Sequence, residues 1–222
     1  MTNALEVSNL TFAYPGTPFR LEVPALSLAP GEQMLLTAPS GAGKSTLLQL
    51  ICGLLDPTGG SVRIAGESIH AAQGAARDRL RGRRIGVIFQ TFHLLTGFTA
   101  RENVMLAMLM AGVPAGEHRP RAATLLSRLG IERPDARVEE LSVGQQQRVG
   151  VARALACEPA LVLADEPTAS LDPENADAAF ALIQDACREK NSALLCVSHD
   201  PRAAPRFSRR VTLAELSRGG AA

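Results

Sequence analysis

Apolar and polar positions alternate from Leu5 to Ala13 and again from Arg20 to Leu28, which predicts two strands parted by the turn residues Pro15-Gly16-Thr17-Pro18. The apolar run Met34-Leu35-Leu36-Thr37 predicts a third strand. After it, Leu47-Leu48-Gln49-Leu50-Ile51 carries apolar residues at helical spacing, ending near Gly53 to Leu55 before the turn Asp56-Pro57-Thr58-Gly59-Gly60. Ser61 to Ala65 and Ile85 to Phe89 read as further strands. From Thr99 to about Ala156 the period becomes helical, and Thr99 with Glu102 predicts a capping box for a helix through Met110. Pro114, Pro120 and Pro134 are expected to break this region into short helices. Ala160 to Ala164 and Ala193 to Val197 read as buried strands on either side of a helix from Pro173 to Lys190, with Asp172 as its N-cap. Strands alternating with helices predict an α/β fold around a largely parallel sheet. The block from Thr99 to Ala156 is long enough for a separate helical subdomain, and Ser217 to Ala222 reads as a frayed tail.

Composition narrows the picture. The chain has 222 residues, 46% of them hydrophobic and 20% charged, with a formal net charge of +1. That balance suits an ordinary soluble protein and argues against a surface built for nucleic acid, so no nucleic-acid partner is expected. Arg77, Arg79, Arg81, Arg83 and Arg84 cluster before the Ile85 strand, but no aromatic residues interleave with them, and a solvated helical face is the expectation. No apolar run approaches the roughly 18 residues of a membrane-spanning helix. The stretch Met1-Thr2-Asn3-Ala4-Leu5-Glu6 lacks the basic start of an export signal, and Cys52, Cys157, Cys187 and Cys196 lack paired spacing. Reduced thiols in the cytoplasm are the expectation.

The chemistry concentrates in Ala38-Pro39-Ser40-Gly41-Ala42-Gly43-Lys44-Ser45-Thr46, between a strand and a helix start. Gly41 and Gly43 let consecutive N–H groups turn inward, and the helix N-terminus adds its partial positive charge. Lys44 supplies a full charge for β- and γ-phosphates, and Ser45 a hydroxyl for Mg²⁺. The usual pattern opens with Gly where this chain has Ala38, a strand-exit position. A second constellation, Leu161-Val162-Leu163-Ala164-Asp165-Glu166, is an apolar strand ending in two carboxylates. Asp165 is assigned to the metal and Glu166 to the proton of an attacking water.

The segment Leu141-Ser142-Val143-Gly144-Gln145-Gln146-Gln147-Arg148 resembles the Leu-Ser-Gly-Gly-Gln signature of the ATP-binding-cassette (ABC) ATPases. The resemblance spans essentially the whole chain, with the motifs in family order. It implies a P-loop NTPase with a mostly parallel central sheet, an N-terminal antiparallel β subdomain and an inserted helical subdomain. The whole chain would form one ATP-binding domain, with about 1–98 and 157–222 as the ATPase core and about 99–156 as the helical part. It further implies that Tyr14 stacks on adenine, that Ser40, Gly41, Ala42, Gly43, Lys44, Ser45 and Thr46 hold the phosphates, and that Gln90 joins Ser45 and Asp165 at Mg²⁺. Lys44, Gln90, Glu166 and His199 are the implied catalytic set, His199 contacting the γ-phosphate. Ser142, Gly144 and Gln145 would contact the ATP of a second copy in a head-to-tail homodimer, with Ser170-Leu171-Asp172 crossing the interface. Val143 replaces the first signature Gly, and a β-branched residue there requires ordinary extended or helical backbone.

The implied protein is an ATPase on the cytoplasmic face of the cell membrane, driving a separate integral membrane permease. Val87 to Leu95 and Gln145 to Val149 resemble the group of lipoprotein-release and macrolide-export ATPases and the cell-division ATPase, which leaves transport and a regulatory role both open. An ABC-type ATPase of DNA maintenance would need a long heptad insertion, and none is present. Ribosome-acting relatives would carry two cassettes, and a small-metabolite kinase would lack Ser142 and His199.

Overall fold

A computed structural model describes residues 2–171 and 173–218, so the expectation for Asp172 and that for the tail beyond Arg218 lie outside the described residues. Strands β1 (Leu5–Ala13) and β2 (Arg20–Leu28) pair antiparallel across the predicted turn. β3 (Gln33–Thr37) leads through the phosphate loop into α1 (Lys44–Ile51). β4 (Gly59–Ile64) pairs antiparallel with β1 and with the two-residue β5 (Glu67–Ser68). α2 (Gly74–Arg84) runs directly into β6 (Ile85–Ile88). α3 (Ala100–Met110), α4 (Ala115–Arg128) and α5 (Val143–Leu155) pack on one another. β7 (Leu161–Asp165), α6 (Pro173–Glu189), β8 (Ala193–Val197), β9 (Arg209–Thr212) and α7 (Leu213–Ser217) follow.

Two sheets result. One is antiparallel in the order β2-β1-β4-β5, and the other has the order β6-β7-β8-β3-β9 with parallel pairings throughout. Side chains of the parallel strands alternate between two cores, as a period of two requires. Met34, Leu36, Leu161, Leu163, Leu195 and Val197 join β1, β2, β4 and α1 in one core. Leu35, Val162, Ala164, Leu194 and Cys196 join α3 to α6 in the other. Burial on both faces explains why β7 and β8 are continuously apolar.

Several elements differ from the sequence pattern for local reasons. Gly59 and Gly60 open β4 rather than close a turn. β1 bulges between Ser8 and Thr11, and a Cβ on Gly60 (φ +80) would lie 2.2 Å from the Asn9 carbonyl oxygen, so only glycine lets the strands meet there. Pro120 lies inside α4 instead of ending it. The carbonyl it deprives of a partner is that of Gly116, which is exposed and open to solvent. β9 and α7 have no counterpart in the apolar pattern, because β9 buries only Val211 and pairs at the sheet edge. The α7 start did carry a legible signal, a capping box of Thr212 with Glu215.

The α2 arginines are tied down more than a solvated face would be. α2 buries no residue of its own. Arg77 instead bonds Asp56 at 2.7 Å and the Ala72 carbonyl at 2.7 Å, Arg83 bonds the Ala111 carbonyl at 2.8 Å, and Arg84 bonds Glu67 at 2.6 Å. These contacts anchor a helix that lacks an apolar stripe.

Candidate active site

Four parallel strands deliver their C-terminal ends to one edge: β3 to the phosphate loop, β6 to Gln90, β7 to Asp165 and Glu166, and β8 to His199. That edge is where an open α/β sheet places its ligands. A cleft of about 520 Å³ there is lined by Tyr14, Ser40, Gly41, Gly43, Lys44, Ser45, Thr46, Gln90, Asp165 and Glu166, together with Thr17 and Phe19. Ala42 and His199 line an adjoining cavity on the other side of the loop. Ser142, Gly144 and Gln145 line neither.

The loop needs its glycines. Gly43, the N-cap of α1, has φ 107 and ψ 12, and a Cβ there would lie 2.9 Å from Phe19 Cζ. Gly41 also has positive φ, whereas Ala38 does not, so a methyl group at the strand exit is accommodated. No side chain caps α1 and no acidic residue sits in its first turn, which leaves its first amides to an anion. Lys44 Nζ donates to the carbonyls of Ala38 at 2.7 Å and Pro39 at 3.1 Å, which holds the ammonium across the mouth of the loop.

Asp165 is half-buried beside Glu166. Burial, reinforced by the Glu166 charge, pushes its carboxyl above the usual aspartate range, with Lys44 opposing. A carboxylate beside a second carboxylate, lining the same cleft as Ser45, is a donor set that fits Mg²⁺, which takes one or two carboxylates plus substrate oxygens. Glu166 has left-handed backbone (φ 47), an arrangement that costs a non-glycine residue about 1–2 kcal/mol. Its amide donates to the Val197 carbonyl at 2.8 Å, which fixes that turn. The side chain then meets His199: Oε1 lies 2.6 Å from Nδ1, and Oε2 accepts from the His199 amide at 3.3 Å. The sequence pattern assigned these two residues separate tasks and gave no sign that they touch. Contact follows from register, since Asp165 sits opposite Val197 and the chains leave β7 and β8 side by side.

Tyr14 packs edge-on against Phe12 at 4.8 Å and tilted against Phe19 at 5.6 Å, and its hydroxyl lies 3.3 Å from Thr46 Oγ1. Phe19 thus supports both the tyrosine ring and the Gly43 turn, a role its place after a Pro-rich turn did not suggest. The Gln90 carbonyl accepts from Ser170 Oγ at 3.1 Å, which ties the β6 exit to the turn after β7. Beside His199, the Arg202 guanidinium holds the Asp200 carboxyl below its usual range.

Ser142 caps α5. Its Oγ accepts from the Gln145 amide at 3.3 Å, and Gln145 Oε1 accepts from the Ser142 amide at 3.0 Å. The hydroxyl proton of Ser142 therefore stays available to an outside acceptor. Val143 is the first helical residue, with no positive φ and its side chain exposed, so the substitution for glycine adds no backbone strain. A Cβ on Gly144 would meet nothing within 4 Å. The α5 N-terminus is thus an open face, away from the Lys44 cleft of its own chain.

Residues 21–169 match the model of a family described as "ABC transporter". Among curated proteins, the chain is 46% identical to the lipoprotein-releasing system ATP-binding protein LolD of Maricaulis maris, covering 86% of this chain and 84% of that protein. It is 50% identical to LolD of Anaeromyxobacter dehalogenans, over 86% of this chain and 80% of that one. Among solved structures it resembles the dimeric, post-hydrolysis ATP-binding cassette MJ0796 bound to ADP and Pi, with TM-score 0.78, 31% identity, and 94% and 93% of the two chains covered. It also resembles cbiO1 of Clostridium perfringens, described as part of the ABC transporter complex cbiONQ, with TM-score 0.79, 29% identity, and 90% and 80% covered.

Proposed function

The chain belongs to the ABC transporter family as an ATP-hydrolysing subunit, and from that premise we propose that it drives the release of lipoproteins by a separate membrane permease. The cargo class is that named for the LolD relatives. The carrying observation is the division of the site: a phosphate cleft on one edge of the sheet, and a capped, open α5 N-terminus that does not line it.

Two copies then assemble head to tail, each ATP lying between one chain's Lys44 loop and the other's Ser142. The α1 amides and Lys44 bind the β- and γ-phosphates, and Tyr14 stacks on the base. Ser45, Asp165 and Gln90 would hold Mg²⁺, whose charge offsets that of the phosphates. Glu166 accepts a proton from the water that attacks the γ-phosphorus, the bond to the β-phosphate oxygen breaks, and ADP and inorganic phosphate leave. His199 orients the Glu166 carboxylate through Nδ1, which leaves Nε2 to face the γ-phosphate as closure brings the second copy near. Catalysis is then mostly positioning and electrostatics.

The dimeric state of MJ0796 supports the pairing, and the cbiONQ assembly supports a membrane partner. Among the described residues, no helix is long and apolar enough to cross a membrane. With ATP supplied from the cytosol, the subunit works at the cytoplasmic face. Affinity purification from detergent-solubilised native membranes tests the reading. A multi-pass protein should co-purify and raise turnover per chain, and depletion should leave lipoproteins in the inner membrane. Recovery of the chain alone, with lipoprotein sorting unchanged on depletion, would overturn it.

A further inference from the structure

Phe92 and His93, just beyond Gln90, stand consecutively in left-handed backbone at φ 58 and φ 46. Non-glycine residues rarely hold that conformation unless the surroundings impose it. One side chain faces both carbonyls so turned: Arg153 of α5 donates from Nη2 to Phe92 O and from Nη1 to His93 O, each at 2.5 Å. No carboxylate among the described residues pairs with Arg153, unlike Arg77, Arg101, Arg121 or Arg209. A partly buried guanidinium without a counter-ion needs other acceptors, and the two carbonyls supply them. Its own proton affinity falls with that burial, as expected for a cation facing only dipoles. Phe92 packs against α5 at Gly150, where an added Cβ would sit in ordinary contact, 3.7 Å from Phe92 Cβ.

We propose that Arg153 is a positioning residue that clamps the segment after Gln90 onto α5, so that Gln90 of one ATP site and Ser142 of the other move as one body. The helix between them is continuous from its Ser142 cap, and eleven residues of it span about 16 Å. On another face of the same helix, Gln147 Nε2 donates to the Pro167 carbonyl at 3.1 Å, which steadies α5 against the turn after Glu166. The inference rests on the roles proposed above for Gln90 and Ser142. Arg153 itself touches no nucleotide in this account.

The test compares full-length Arg153→Gln and Arg153→Lys with Arg148→Ala, which removes another α5 arginine that donates to the Leu129 carbonyl at 3.0 Å. Amide hydrogen exchange over residues 90–95 is the main readout, with the Mg²⁺ midpoint for retention of a fluorescent ATP analogue as the second. Arg153→Gln should lose about tenfold in protection over that segment, with Arg153→Lys intermediate because an ammonium lacks the two-pronged fork. Its Mg²⁺ midpoint should rise while metal-free nucleotide binding is unchanged. Arg148→Ala should lower the melting temperature without altering exchange at 90–95. Unchanged exchange in Arg153→Lys, or an equal change in Arg148→Ala, would overturn the clamp. Gln90→Ala separates the two layers: an unaltered Mg²⁺ midpoint there refutes the Gln90 reading, while the exchange result still decides the clamp.

Discussion

Gly43→Ala probes the loop at its most demanding point, and the structure sets the scale of the effect. Two costs add. The backbone at φ 107 lies outside the comfortable region for any residue with a Cβ, and holding it there costs about 1–3 kcal/mol. The new methyl carbon would also sit 2.9 Å from Phe19 Cζ and 3.3 Å from Cε2, and the ring cannot swing freely because Tyr14 lies against it at 5.6 Å. Overpacking of that kind costs a further ~1–3 kcal/mol. The sum, about 2–6 kcal/mol, is a large part of the ~5–15 kcal/mol that stabilises a typical domain. Urea unfolding of the parent, Gly43→Ala, Phe19→Leu and the double variant separates the two terms. Phe19→Leu removes the ring edge, so the double variant should recover the steric share and retain the backbone share. ATP affinity should stay low even in the double variant, because the rescued loop still aims its amides differently. A stability loss below about 1 kcal/mol in Gly43→Ala, or no coupling to Phe19, would refute the reasoning.

Two other perturbations test neighbouring parts of the site. Tyr14→Ala should weaken ATP binding by about 1–3 kcal/mol through lost stacking. Tyr14→Phe should keep that affinity and lose only the part-buried bond to Thr46, about 1 kcal/mol of stability by melting; equal affinity losses in both would point to the hydroxyl instead. For Asp165, burial and Glu166 raise the folded carboxyl above its unfolded value, so ionising it costs stability. Asp165→Asn should be the more stable chain at neutral pH, and that advantage should shrink as pH falls through the raised pKa and vanish below about pH 4. MgATP turnover should be lost in the same variant, and an advantage independent of pH would exclude the carboxyl as its source.

Periodicity located the strands well where burial alternates or is complete. β1, β2 and β8 fall on the predicted residues, and α3 starts at the predicted Thr99 box because cap and apolar pattern agree. It failed where tertiary contacts set the outcome. β9 is a strand only because β3 offers it an edge, and α2 is held largely by arginine contacts to Asp56, Ala111 and Glu67, with Leu80 partly buried against the core. In the site, the order of motifs named most of the residues that line the cleft, since each follows a strand end. What the order could not carry was lateral register. The pairing of Glu166 with His199 and the reach of Arg153 to Phe92 both depend on which strands and helices lie side by side.

The proposed mechanism requires a nucleotide shared between two copies. Glu166→Gln keeps the shape of the side chain but removes the proton acceptor, which should slow hydrolysis roughly 10²–10⁴-fold and preserve the closed state. Sedimentation of that variant with saturating MgATP should show a dimer that retains nucleotide. Adding Ser142→Ala should return it to monomer even though the Lys44 loop still binds ATP. A Glu166→Gln chain that stays monomeric with nucleotide bound, or a dimer indifferent to Ser142→Ala, would contradict the shared site.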